Sequence, residues 1–148
     1  MRYFDSNAVE ELPSRYRANL INTITGYKSA NLIGTVNRSG RANVAIFNSV
    51  VHLGSNPALL GFVLRPLTVR RDTYRNISEN RSFTVNAVTQ EIYEAAHQTA
   101  AKFEENESEF EKTGLQPLFR EEHMAPFVSE SPIQLGCTYM NEYPIMEN

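Results

Sequence analysis

The chain has a single cysteine, Cys137, no tryptophan, and only seven glycines and seven prolines in 148 residues. One thiol excludes an internal disulfide and any paired-cysteine metal site, and within the strand-like run IQLGCTY it reads as a small buried side chain. No apolar run approaches the roughly twenty residues that a membrane-spanning helix needs; even Ala58 to Leu64 is bounded by Pro57 and Arg65. No charged-then-apolar leader opens the sequence, so a cytoplasmic protein is expected. A net charge of −3 excludes general attraction to nucleic acid or acidic lipid, and any anion has to be bound locally. Catalytic signatures are missing as well: there is no Gly-x-Ser-x-Gly, no His-Glu-x-x-His, and no Walker or dinucleotide glycine fingerprint. His52, His97 and His123 are too scattered to argue a metal site from spacing. A chain without reactive motifs borrows its reactivity, and a cofactor with a phosphate tail is the simplest expectation.

What is present is enough hydrophobic content, 41%, to close one core, so residues 1–148 are expected to form one domain. Short β-patterned runs ended by turn signals dominate the first ninety residues. Strands are expected over Leu20 to Thr25, Asn31 to Val36, Ala42 to Leu53, Ala58 to Leu64, Ser82 to Val88 and Ile133 to Tyr139. The Asn37-Arg38-Ser39-Gly40 turn makes the second and third of these a hairpin. Consecutive antiparallel strands with tight connections close readily into a barrel, which hides their edges. Three helices are expected: one capped by Asp72 and running through Asn80; one capped by Thr89 with a stripe of Ile92, Tyr93, Ala96, Ala100 and Phe103; and one opened by the box-like Ser108-Glu109-Phe110-Glu111 and stopped by Gly114. Pro117 to Pro132 reads as a loop wrapping the barrel.

Charge is distributed unevenly. Arg65, Arg70, Arg71, Arg75 and Arg81 fall within seventeen residues, whereas ten of the seventeen acidic residues lie between Glu91 and Glu130. Arginines just ahead of a helix start at Asp72-Thr73 offer guanidiniums, a hydroxyl and backbone amides to one phosphate group. Beside them the small polar Asn48 and Ser49 sit in mid-strand, in a segment apolar enough to hold a flat ring. The alternatives are plain: Asn48 and Ser49 as outward-facing strand polars, the arginines as a solvated patch, and His97 and Lys102 as exposed helix residues.

The blocks SANLIGTVN, NVAIFNSVVHLGSNPALLGFVLRP, RRDTYRNI, FTVN, EAAHQTAAKF, SEFEKTGL and PFVSESPI, in that order, resemble the flavin reductase-like family of FMN-binding split barrels. The resemblance spans Ser29 to Ile133. It implies a mainly β fold, a six-stranded antiparallel split barrel with added helices, usually a homodimer with FMN near the subunit interface and NADH or NADPH as electron donor. Carried onto this sequence, it implies that Asn48, Ser49 and Val50 line the flavin ring edge and that Arg65, Arg71 and Thr73 hold the phosphate. It also implies that Asn86, His97, Thr99 and Lys102 close the pocket, with Thr99 and Lys102 on one helix face. Similar proteins continue into further strands, whereas this sequence stops at Tyr143-Pro144-Ile145-Met146-Glu147-Asn148, so a barrel short of its C-terminal strands is expected.

Three functional readings follow. The first is a nicotinamide-dependent flavin reductase, in which the protein supplies alignment and electrostatics but no acid or base. The second is an FMN-carrying electron-transfer or binding module without turnover, and the third a structural barrel. Fold alone does not choose among them.

Overall fold

The computed structural model describes residues 4–66, 69–104 and 107–145. It opens with two helices, α1 (Ser6–Glu11) and α2 (Ser14–Thr23), and α2 occupies most of the run expected as a first strand. Spacing explains the difference. Tyr16, Leu20 and Ile24 recur every fourth residue, a helical period, and this outweighs the β-branched Ile21, Thr23 and Thr25. Asp5 caps α1 by accepting the Ala8 N–H at 2.8 Å. Neither helix buries a residue.

Next come β1 (Asn31–Val36), β2 (Ala42–Phe47), β3 (Val51–Ser55) and β4 (Ala58–Gly61). The Asn37–Gly40 hairpin turn forms as expected, with the Asn37 carboxamide oxygen accepting the Ser39 and Arg41 N–H groups and Gly40 at φ 82°. The long strand expected from Ala42 to Leu53 is broken at Asn48–Val50. There the Ser49 hydroxyl accepts the Val63 N–H at 3.0 Å and donates to the Val63 carbonyl at 3.1 Å, offering the backbone a partner outside the ladder.

The chain continues through α3 (Asp72–Asn80), β5 (Ser82–Ala87), α4 (Tyr93–Gln98), α5 (Glu109–Thr113), β6 (Pro117–Arg120), β7 (His123–Val128) and β8 (Gln134–Thr138). The expected wrapping loop is therefore a ribbon of β6 and β7. Its prolines are tolerated because Pro117 opens β6 and Pro126 falls in the stretch where the register shifts. The helix expected after Thr89 is short, so Tyr93 and Ala100 of its stripe are exposed while Ile92 and Ala96 are buried. Gly114, at φ 79°, ends α5 as expected, but the Ser108 hydroxyl donates to Ala42 O at 2.9 Å and does not cap the helix.

The architecture is mainly β with added helices. Among the described residues eight strands fall into a four-stranded antiparallel sheet of order β2-β1-β5-β8 and the two-stranded ribbons β3-β4 and β6-β7, not into one six-stranded barrel. Alternation gives the four-stranded sheet two buried faces. Leu32 and Val44 face Ile92, Ala96, Phe110, Leu115 and Val128, whereas Ile33, Phe83 and Val85 face Ile77 and the partly buried Phe47 and Phe62. Phe62 meets Phe47 and Phe83 edge-on at 5.2 and 5.6 Å. The β7 strand crosses the first face so closely that a Cβ at Gly34 would lie 2.2 Å from Pro126 O. No helix among the described residues is long and apolar enough to cross a membrane.

Candidate functional site

β2 is an edge strand, and its outward N–H groups recur at every second residue. The Val44 N–H stands beside the Glu109 carboxylate and favours its ionised form. The Ile46 N–H goes to the Thr99 hydroxyl at 2.9 Å, and that hydroxyl donates in turn to Ala96 O at 2.7 Å. Helices α4 and α5 thus cap the edge up to Ile46, and the next outward position, Asn48, is exposed. Just beyond, Ser49 pins Val63, and Arg65, two residues further on, is exposed.

The N-terminus of α3 lies beside the opposite end of β2, at Ala42 and Asn43. Asp72 is the first helical residue and does not cap the helix as expected. Its carboxylate accepts from Arg70 Nε and Nη2 at 2.9 and 2.7 Å and pairs with Arg75 Nη2 at 3.0 Å. The helix start carries no side-chain cap at all, which leaves first-turn amides open to an external acceptor. Arg71 sits at the N-cap, and its Nε is buried without a hydrogen-bond partner. A buried, unpaired guanidinium N–H is costly unless something accepts from it. Behind it the buried Thr73 hydroxyl lies 3.4 Å from the Asn43 carboxamide, whose nitrogen, turned outward, donates to Glu109 at 3.0 and 3.3 Å. Burial lifts the Glu109 carboxyl above the ordinary range and Asp72 adds to the shift, while the Glu109 and Val44 N–H groups hold it back.

Asn43, Arg70, Asp72, Arg75, Asn76 and Glu109, but neither Arg71 nor Thr73, line a half-open recess of about 20 Å³, and Asn76 Oδ1 is buried without a partner. A larger cleft of about 390 Å³ lies elsewhere, between the β1–β2 turn and the β6–β7 ribbon, and is lined by Val36, Arg38, Phe119 and Met124.

The ten expected site residues divide. Asn48, Ser49 and Val50 follow the C-terminal end of β2, where Ser49 bonds to Val63; Arg71 and Thr73 stand at the start of α3, where Thr73 meets Asn43 near the other end of β2; and Arg65 is exposed. Val50 is half-buried against the Phe47–Phe62 group, and Thr73 is buried. Asn86 does not close a pocket. It is fully enclosed, with Nδ2 donating to Leu32 O at 3.0 Å and Thr84 Oγ1 at 2.9 Å, and Oδ1 accepting the Val128 N–H at 3.0 Å. Thr99 is likewise occupied as an edge cap, and because α4 ends at Gln98 it shares no helix face with Lys102. His97 and Lys102 are exposed. Sequence reasoning missed Asn43 and Glu109, which carry no local signal, and the Arg70–Asp72–Arg75 cluster, for which the i,i+3 spacing of Asp72 and Arg75 was a readable one.

A family model for the flavin reductase like domain matches residues 25–147. The uncharacterised protein YwrF of Bacillus subtilis is 31% identical over 106 residues, which is 71% of this chain and 52% of that protein. A candidate flavin reductase with a split barrel domain from Shewanella frigidimarina NCIMB 400 superposes with a TM-score of 0.89 at 45% identity, covering 93% of this chain and 68% of that one. Nitrilotriacetate monooxygenase component B from Bacillus cereus superposes with a TM-score of 0.86 at 26% identity over all of this chain and 72% of that one. The chain spans 52% to 60% of the length of the curated relatives it matches.

Proposed function

This chain belongs to the flavin reductase like domain family, and on that premise we propose that it binds FMN and reduces it with NADH or NADPH, as a homodimer in the cytoplasm. The observation that carries the reading is the unpartnered, buried Arg71 Nε at an uncapped helix start. A phosphate there gains a charge-assisted donor and first-turn amides, and the Arg65 guanidinium adds a second positive charge. The Arg70–Asp72–Arg75 cluster keeps Asp72 neutralised, so its carboxylate does not repel the anion.

From that anchor β2 leads to Asn48, Ser49 and Val50. The Asn48 side chain and the backbone there are the polar groups that would orient a flavin ring, with Phe47, Val50 and Phe62 as its apolar support. Bound FMN would supply the redox chemistry, taking hydride from the nicotinamide at flavin N5. The protein's part is to hold the ring in register and to place donors where negative charge develops, which needs no titrating side chain.

The test is the absorption spectrum of the protein loaded with FMN, followed during anaerobic addition of NADH and, separately, NADPH. Flavin bands that bleach with either nicotinamide support a reductase. Bands that persist identify an FMN carrier without nicotinamide turnover, and failure to retain or quench FMN at all rejects the reading. Arg71→Met should weaken FMN binding roughly 10- to 150-fold, the equivalent of losing one charged hydrogen bond worth about 1.5–3 kcal/mol, without lowering the stability of the FMN-free protein.

A further inference from the structure

Glu109 is a half-buried carboxylate for which the proposed flavin chemistry has no use. It stands on α5, yet one side chain of β2 joins it to the start of α3. The Asn43 carboxamide, turned so that its nitrogen donates to Glu109 at 3.0 and 3.3 Å, sets its oxygen 3.4 Å from the Thr73 hydroxyl. Asn43 and Thr73 are both buried, so a single carboxamide, shielded from bulk water, lies between the carboxylate and the first turn of α3. Burial lifts the Glu109 carboxyl above the ordinary range, and Asp72, the first residue of α3, adds to the lift. A negative charge at this helix start is therefore felt at Glu109. A phosphate monoester brings a larger one, close to two charges near neutral pH.

The other charges around the recess come from each element that packs against Glu109. Arg41 adjoins the start of β2, Arg70 precedes α3, Asp72 and Arg75 lie on α3, and Glu107 precedes α5. Asp72 is paired with Arg70 and Arg75, and Glu107 with Lys112 at 2.6 Å. Those ion pairs keep both carboxylates ionised when an anion arrives. Glu109, held by the Asn43 carboxamide and favoured as an anion only by the Glu109 and Val44 N–H groups, is the group poised to respond.

We propose that Glu109 takes up one proton from solvent when a phosphate settles at the start of α3, so that the anion meets a neutral carboxyl and not a second negative charge. No bond of the ligand breaks, and the proton returns to solvent when the ligand leaves. Below the pH at which free Glu109 ionises, the carboxyl is neutral with and without ligand and the coupling contributes nothing. As pH rises through that range the ligand has to bring a proton with it, and above the range of the complex the full repulsion is present. A unit charge at this separation, in the effective dielectric of a protein edge, changes an equilibrium by about tenfold. The second ionisation of the phosphate itself, near pH 6, acts in the opposite sense. This gives a regulating group to the phosphate seat of the flavin reading and rests on that seat, not on nicotinamide turnover.

The experiment is a carbon-13 NMR titration of the glutamate carboxyls of the full chain, free and saturated with FMN, riboflavin or sulfate. The Glu109 resonance is the one missing from Glu109→Gln, and through-bond correlation to its backbone assigns it if that variant fails to fold. Its midpoint should rise by about one pH unit with FMN and stay in place with riboflavin, which lacks the phosphate. Sulfate, doubly charged over the whole range, should raise it without any titration of its own. A second readout is affinity: Glu109→Gln should bind FMN about tenfold more tightly than the unaltered protein above the Glu109 range and equally below it. A midpoint that neither anion moves, a rise with riboflavin as large as with FMN, or an affinity difference that does not change with pH overturns the proposal. If FMN binds and the midpoint stays, the coupling fails and the flavin reading stands. If FMN does not bind and sulfate raises the midpoint, the flavin reading fails and the coupling stands.

Discussion

At the residue scale, Asn86 and Arg71 are opposites. All the polar atoms of the Asn86 side chain are paired inside the protein, between β1, β5 and β7. Asn86→Ala would strand the Val128 N–H and remove a donor from Leu32 O, costing about 2–4 kcal/mol in a chemical denaturation experiment. A loss under about 0.5 kcal/mol would show that water replaces the side chain. From the sequence, an Asn in the middle of an apolar strand was legible as special, but not as structural, because its partners are up to 54 residues away. Glu109 was not legible at all, since its role depends on meeting the buried edge of β2. Its folded carboxyl is raised, so it binds a proton more tightly folded than unfolded, and the fold is penalised above both values. Stability is therefore regained as pH falls through the raised folded value and is fully regained below the unfolded one. Glu109→Gln removes this dependence. The stability of the unaltered protein relative to the variant should improve on acidification from neutral pH, and a pH-independent difference would contradict the assignment.

At the element scale, the legible parts are those with strong local signals. β1 and β5 form within one residue of the turn-bounded runs expected for them, the Asn37–Gly40 turn and the Gly114 stop have the residues their backbones require, and α3 runs through Asn80 as expected. Failures came where two periods competed or where a proline suggested a loop. The α2 stretch carried both helical spacing and β-branched residues. β7 tolerates Pro126 because the ribbon bulges there, and the carbonyl of that residue accepts the Thr84 hydroxyl at 2.7 Å. This crossing of β7 over β1 requires the absence of a side chain at Gly34. Gly34→Ala would place its Cβ 2.5 Å from Thr84 Oγ1 as well as against Pro126 O, and the backbone cannot yield cheaply. A loss of about 1–3 kcal/mol or more in thermal or chemical denaturation is expected. An unchanged midpoint would mean that β7 does not cross where it is drawn.

At the scale of the whole molecule, the family and the mainly β architecture were readable because the ordered blocks from Ser29 to Ile133 carry them together, and no single motif does. The division into three sheets was not readable, since it depends on which ribbon leaves the four-stranded sheet and which crosses it. Thr99 and Glu109 cover the outward edge of β2 at Ile46 and Val44, and Asn48 beyond them is exposed. Asn48, Arg65 and the start of α3 at Arg71 are the groups proposed to bind FMN. The defining claim is that the start of α3 grips a phosphate. Paired equilibrium titrations with FMN and with riboflavin, which differ in that phosphate, test it most directly. The account predicts FMN binding at least about tenfold tighter, with the gap closing in Arg71→Met; equal affinities in the unaltered protein, or a gap that survives the substitution, would contradict it.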